Sequence, residues 1–407
     1  ALLKESEAMI EYVIGDSMIY ILYLDRTNLR VIERPLDKKE LTRKIKEMHR
    51  TLSDYNGLSK RQKEAYRSYT SSAYWFYQNL VAPVIEQSNQ IKKLIVITDG
   101  ELGHLPFEVF LVEAAPQKRM DYANLSYLMN DYVLSYHYSA TLWKESKEGK
   151  APQNNGQILG VAANYATKIK PSNGITRLPA YQRIRDNLDS LPNAREEVEI
   201  LSKQFKGYCA FDNMASEKVF KEKSSEFAVI HLALHGLLNS RAQMLSSLVF
   251  TEDGDSVENN FLQAYEISKL NLNADLVVLS ACETGYGKFE KGNGIASLAR
   301  SFMYAGASSL VVSLWQVNDF STSEIMKLFY QNLTKGMGKA EALREAKLSY
   351  MKKAEGIFKH PAFWSPFIQI GTSDAIHLKS KSDRSFLWWG LGILSMVLLL
   401  VFWNKRG

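Results

Sequence analysis

Apolar and polar positions along this chain fall into two successive series of strands and helices. Near the start, residues 9–35 alternate in the manner of two strands, Met9 to Ile14 and then Ser17 to Leu24, with Leu29 to Ile32 after a turn at residues 25–28. Residues 38–91 are polar with apolar positions at helical spacing, the pattern of two or three helices. Lys93 to Ile97 reads as a buried strand that stops at Thr98-Asp-Gly100, and Tyr132 to Tyr136 closes the first series. Such short runs read as strands covered on both faces. The second series opens with Gln157 to Ala162. It continues through an amphipathic helix over 193–205, with Val198, Leu201 and Phe205 on one face. Two more buried runs follow, Phe227 to Gly236 and Ala274 to Gly285, and then a helix over 294–304 and a strand over 309–315. Helices over 321–333 and 339–353 complete it. Strands alternating with helices predict an α/β fold with a mostly parallel sheet flanked by helices.

Three segments lie outside that alternation. Lys147 to Gly156 has the composition of a linker. Residues 372–385 are rich in Ser, Lys and Asp and read as a flexible stalk. Phe386 to Trp403 is a run of 18 uncharged residues. As a helix it would be about 27 Å long, close to the hydrocarbon thickness of a bilayer. Trp388, Trp389 and Trp403 stand near its ends, where indoles favour the interface, and Lys405 and Arg406 follow. A transmembrane helix is therefore expected, with a buried core helix as the alternative. The chain begins at Ala1 in what reads as the end of a helix, as a fragment of a longer protein would. The expected organisation is 1–146, 156–371, a stalk over 372–385 and a membrane span over 386–403.

Composition narrows the function. The 407 residues are 46% hydrophobic, enough for a full core, and the net charge of +6 is spread over charges of both signs. No basic run is interleaved with aromatics, so nucleic acid is not an expected partner. Two cysteines, Cys209 and Cys282, are too few for a disulfide scaffold and suit a reducing compartment.

The chemistry lies in the two central runs. The first ends in His235-Gly236 and the second in Cys282 followed by Glu-Thr-Gly285. Open α/β sheets place chemistry beyond the carboxyl ends of their strands. A lone cysteine after an apolar run is commonly just a small hydrophobe. A thiol and an imidazole at two neighbouring strand ends make a better case for a nucleophile and its base. The N–H groups of Gly236 and Cys282 are the candidate oxyanion donors.

Other readings fail on spacing. His231 and His235 would converge on a metal only in a helix, and Leu232 stands where a zinc protease needs Glu. On a strand they are about 13 Å apart, so His231 is expected to pack inside the sheet. The glycines between 285 and 294 match neither a phosphate loop nor a dinucleotide fingerprint and read instead as a mobile substrate loop. No metal or cofactor is called for. Asp319, just past the strand over 309–315, reads equally as a helix cap or as a substrate-pocket carboxylate.

These motifs resemble the CHAT family of cysteine peptidases, relatives of caspases and separase. The resemblance rests on His231-Leu-Ala-Leu-His-Gly236 and Ser280-Ala-Cys-Glu-Thr-Gly285, and on the glycine-rich stretch leading into Gly292-Asn-Gly-Ile-Ala-Ser-Leu-Ala-Arg300. Ser313-Leu-Trp-Gln-Val317, Ala340 to Ala346, His360 to Phe367 and Thr98 to Phe107 extend it over roughly residues 8–371. It implies a caspase-like fold with His235 and Cys282 as a catalytic dyad. By analogy with separase it implies a degenerate protease-like α/β unit at the N-terminus. Asp319 matches, in position only, an acid that separase uses to select a basic residue before the cut. Leu234 departs from the Thr usual before the dyad histidine. Many relatives carry tetratricopeptide repeats upstream.

The expectation is thus a membrane-anchored cysteine endopeptidase in regulated bacterial signalling or defence. Its catalytic part would be cytoplasmic, and an upstream sensor or repeat region of the same chain would control it. The expected partners are a protein substrate, that upstream region and membrane lipid. The rival is a catalytically silent protease-like scaffold that binds partners at the membrane.

Overall fold

The computed structural model describes residues 2–85, 90–149, 154–165, 184–239, 241–254, 257–280 and 294–381. The apolar runs become strands, joined by others at residues 207–211, 247–249, 261–263 and 367–371 that no run announced. In chain order these are β1 (Glu7–Ile14), β2 (Met18–Leu24), β3 (Leu29–Pro35), β4 (Lys93–Ile97), β5 (Val133–His137), β6 (Ile158–Ala162) and β7 (Gly207–Phe211). β8 (Val229–Ala233), β9 (His235–Leu237), β10 (Ser247–Val249), β11 (Phe261–Gln263), β12 (Leu276–Leu279), β13 (Ser309–Ser313) and β14 (Phe367–Gly371) follow. Eleven of them form one sheet in the order β3-β2-β1-β4-β5-β14-β13-β12-β8-β6-β7. Neighbours are parallel except for β3–β2, β2–β1 and β14–β13. The other three make a small antiparallel sheet, β11-β10-β9.

Burial follows strand position. Every residue of β6, β8, β12, β13 and β14 is buried, as central strands covered on both faces require. The edge strand β3 alternates between exposed and half-buried residues.

Helix α1 (Lys38–Ser53) starts where the Asp37 carboxylate accepts hydrogen bonds from the N–H groups of Lys39 and Glu40. It buries Leu41, Ile45, Met48 and Leu52, one stripe at helical spacing. α2 (Gln62–Phe76) packs on it. In the second series lie α3 (Pro192–Gln204), α4 (Glu217–Lys223), α5 (Gly294–Tyr304), α6 (Asp319–Thr334) and α7 (Lys339–Lys353). α3 comes close to the sheet because Gly160 of β6 has no side chain. A Cβ there would lie 2.8 Å from Val198 Cγ1 and 3.1 Å from Cys209 Sγ.

The two series are joined through the middle of the sheet. β5 pairs with β14, Tyr136 beside Ile370. Next to that seam Lys347 Nζ of α7 lies 3.1 Å from Glu108 Oε1, with both side chains buried, and Tyr136 donates to Glu108 Oε2 at 2.6 Å.

Composition misled at the two polar segments. Lys147 and Glu148, read as linker, end a helix over Ala140–Glu148, and Lys147 pairs with Asp374 at 3.1 Å. Residues 372–381, read as the start of a flexible stalk, are laid along the protein. Ile376 is buried in the core, Lys379 N–H bonds to the Gly156 carbonyl at 2.8 Å, and Lys381 N–H bonds to the Gln204 carbonyl at 2.9 Å. Backbone hydrogen bonds and two apolar side chains, Ile376 and Leu378, hold a segment whose composition describes it as solvated. The span expected over 386–403 lies outside the described residues. Among the described residues no helix is long and apolar enough to cross a membrane.

Candidate active site

The run that ends in His235 is not one strand. β8 stops at Ala233, and His235 opens β9, pairing with Val249 of β10 in the small sheet. Gly236 stands opposite Leu248 in the same register. The backbone N–H of His235 donates to Tyr165 Oη at 2.9 Å, and that hydroxyl donates to the Val249 carbonyl at 2.7 Å. The Tyr165 and His235 ring centroids are 4.6 Å apart, tilted by 48°. His235 is buried, with a relative exposure of 0%.

The imidazole has a defined orientation. His235 Nε2 lies 2.7 Å from the backbone carbonyl oxygen of Asp189. A carbonyl only accepts, so Nε2 carries the proton. In the neutral ring Nδ1 is then the basic nitrogen. An imidazole held in one tautomer by a hydrogen bond to its far nitrogen is oriented as a general base requires.

β8 and β12 are parallel neighbours. Leu276 faces Val229 and Leu279 faces Leu232, a constant offset of 47. Ser280 N–H continues the ladder to the Leu232 carbonyl at 3.0 Å. Cys282 lies outside the described residues, as does the glycine-rich stretch after it.

Beneath His235 lies a buried polar cluster. His231 is wholly buried, as its expected place within the sheet demands. Its Nδ1 lies 2.9 Å from Tyr330 Oη of α6, and its Nε2 lies 3.0 Å from Glu197 Oε1 of α3, although off the line of a good hydrogen bond. The Ser280 hydroxyl donates to the same Glu197 oxygen at 2.6 Å. Burial, reinforced by the Glu197 charge, pushes the Tyr330 phenol well above its ordinary range, so it stays protonated.

Asp319 is the first residue of α6, and its side chain is outside the described set. The cap role weighed for it belongs to its neighbour. Asn318 is the N-cap, its Oδ1 accepting from the Ser321 N–H at 3.2 Å.

Among the described residues the acids that could share a metal ion are Glu217, Glu258 and Glu266. Lys221 already sits among them, its Nζ 2.7, 2.8 and 3.1 Å from the three carboxylates. Thr98-Asp-Gly100, where the first-series run β4 stops, lines a cavity of about 260 Å³ with His104, Tyr138 and Arg300.

Sequence reasoning did not find Tyr165, Asp189, Glu197 or Tyr330. Asp189 acts through its backbone, which leaves no mark in a sequence. Glu197 did leave one, an acid at helical spacing from Leu201 on the apolar face of α3.

The CHAT domain model matches residues 70–372. This chain belongs to the CHAT domain family. The match takes in β4 and β5 of the first series as well as the whole second series, so the family unit is not confined to the half bearing His235. Over 348 residues, 75% of this chain, it is 23% identical to tetratricopeptide repeat protein 28 of Mus musculus. Over 353 residues it is 24% identical to the Homo sapiens protein of the same name. The matched region is 13% of the length of each. In fold, the chain is similar to a chain of the Saccharomyces cerevisiae separase–securin complex, with a TM-score of 0.52 and 10% identity. That similarity covers 91% of this chain and 30% of the other.

Proposed function

We propose that this CHAT-domain protein is a cysteine endopeptidase in which Cys282 is the nucleophile and His235 its base. The observation that carries this reading is the held tautomer of His235 beside a strand whose next residues are Ser280-Ala-Cys282. The parallel pairing of β8 with β12 supports it, since His235 follows the end of β8 by two residues and position 282 follows the end of β12 by three. Nδ1 takes the thiol proton, and the thiolate attacks the peptide carbonyl. The oxyanion is met by the N–H groups of Gly236 and Cys282. The imidazolium gives its proton to the leaving amine, and water then hydrolyses the thioester. Asp319, released from the capping role, faces a basic side chain before the scissile bond.

Residues 1–146 form a non-catalytic protease-like unit that shares its sheet with the catalytic part, 156–371. The full cover over His235 suits an enzyme that opens on a signal. A repeat region upstream in the same chain is the source of that signal, a reading supported by the repeat-protein relatives. Residues 386–403 anchor the chain in a bacterial membrane. Lys379, Lys381 and Arg384 before the span against Lys405 and Arg406 after it put the catalytic part in the cytoplasm. The deciding experiment is labelling with a cysteine-directed acyloxymethyl ketone. Labelling at Cys282 that is lost in His235→Ala supports the enzyme, and no labelling at Cys282 favours a silent scaffold.

A further inference from the structure

We propose that Glu197 is a positioning residue that, by accepting the Ser280 hydroxyl, fixes the carboxyl end of β12 and with it the approach of Cys282 to His235. The proposal rests on the dyad reading and adds residues from outside the dyad. Three observations lead to it. First, Glu197 is almost fully buried, at 6% exposure, and a carboxylate in that setting needs partners to be tolerated. Second, its partners come from the two strands that lead to the dyad. Ser280 extends β12 and stands two residues before Cys282, and His231 of β8 stands four before His235. One oxygen thus takes the Ser280 hydroxyl at the end of β12 and lies beside the His231 ring of β8, one layer below the candidate chemistry. Third, the fold makes room for this contact. Gly160 lets α3 sit close on the sheet, with Val198 against it, and Tyr330 of α6 holds the far side of the His231 ring.

The ladder bond from Ser280 N–H to the Leu232 carbonyl sets the spacing of the two backbones but leaves the end of β12 free to roll about it. The side-chain bond to α3 removes that freedom. What Glu197 must supply is an acceptor rather than a charge. In Glu197→Gln the amide oxygen can still take the Ser280 proton. In Ser280→Ala and Glu197→Ala the tie is gone.

The test is the pH dependence of iodoacetamide alkylation of Cys282 in a Cys209→Ser background, with melting curves beside it. The variants are His235→Ala, Ser280→Ala, Glu197→Ala and Glu197→Gln. Ser280→Ala and Glu197→Ala are expected to slow alkylation at neutral pH by about tenfold or more and to raise the pH at which it begins, since a small misplacement of reacting groups costs up to ~100-fold. Glu197→Gln is expected to stay within about threefold of the parent, because a buried partner of the same shape keeps the group satisfied. If His235→Ala changes the profile while Ser280→Ala and Glu197→Ala leave it at the parent level, positioning is overturned and the dyad stands, whatever the melting curves do. Glu197→Gln as slow as Glu197→Ala overturns the acceptor role in favour of charge. A profile untouched by His235→Ala overturns the dyad and this proposal together.

Discussion

The Nε2 proton of His235 is held by the Asp189 carbonyl at 2.7 Å, which leaves Nδ1 as the basic nitrogen of the neutral ring. A backbone carbonyl cannot be removed by a side-chain substitution, so the tautomer survives most changes around it. The consequences for activity therefore concentrate on His235 itself and on the thiol.

His235→Ala and Cys282→Ala are each expected to abolish cleavage of protein substrates. General acid–base help alone is worth roughly 10²- to 10⁴-fold, and loss of the nucleophile removes the covalent route altogether. Cys209→Ser is expected to keep full activity. Cys209 packs against Gly160, and burial raises its thiol pKa, so it is a poor nucleophile. Substrate cleavage by Cys282→Ala would end the proposal.

Asn318 and Asp319 are expected to separate stability from selectivity. Asn318→Ala removes the N-cap of α6 and should cost about 1 kcal/mol in denaturant melts with selectivity unchanged. Asp319→Ala should weaken the preference for a basic residue before the cut by about 2–5 kcal/mol, and stability far less. A peptide-library profile dominated by apolar residues at that position would remove Asp319 from the pocket.

The end of the fold lies beyond β14. A chain ending at Lys381 is expected to be stable and extractable without detergent. One ending at Gly371 loses the buried Ile376 and the backbone bonds of residues 379 and 381, at a cost of about 2 kcal/mol or more. The full chain should resist carbonate extraction from membranes. Release of the full chain by carbonate would remove 386–403 as an anchor.

Acid is expected to unfold the protein through buried imidazoles. Burial lowers the His360 pKa to about 3 and the His137 pKa to about 4, from 6.5. His360 Nδ1 also accepts the Ala362 N–H at 3.0 Å, a bond that protonation breaks. The unfolded chain takes up these protons near pH 6.5 and the folded chain does not. Their contribution is therefore whole above pH 6.5 and lost as pH falls to about 4 for His137 and about 3 for His360, by about 2 kcal/mol each at pH 5. His360→Asn keeps a cap acceptor and should flatten the fall between pH 7 and 5. An unchanged slope would show that His360 is not a source of it.

Glu217 is expected to act with the opposite sign. Burial pushes its carboxyl up to about 7, against the pull of Lys221. The folded chain then holds a proton that the unfolded chain has lost, so this contribution is greatest below pH 4.5 and declines as pH rises to 7. Glu217→Gln should gain stability relative to the parent between pH 5 and pH 8. A difference that stays constant with pH would contradict the assignment.

Much of the fold was legible in the chain because its strands are central. β8, β12 and β13 are buried on both faces, so each reads as a short, largely apolar run. The helices over 294–304 and 339–353 were equally plain, matching α5 and α7 end to end. Short or amphipathic pieces were not. β9, β10 and β11 have three residues each, too few for a period to show, and so the break at Leu234 that moves His235 into a second sheet had no signal.

Residue chemistry and spacing determined which groups the candidate site draws on, and which metal and phosphate readings fail. Long-range contact decided what each group does. Asp189 is 46 positions from His235, and Glu197 is 83 from Ser280. The first acts through a backbone atom that every residue type shares, and the second is one glutamate in a helix full of charge. Asn318 rather than Asp319 caps α6, a choice between adjacent residues that only the turn of the backbone makes. Residues 372–381 lie on the protein because strand β6, helix α3 and their loops offer partners there. Local sequence carries propensity and period. Which distant donor meets which acceptor is set only when the chain has closed on itself.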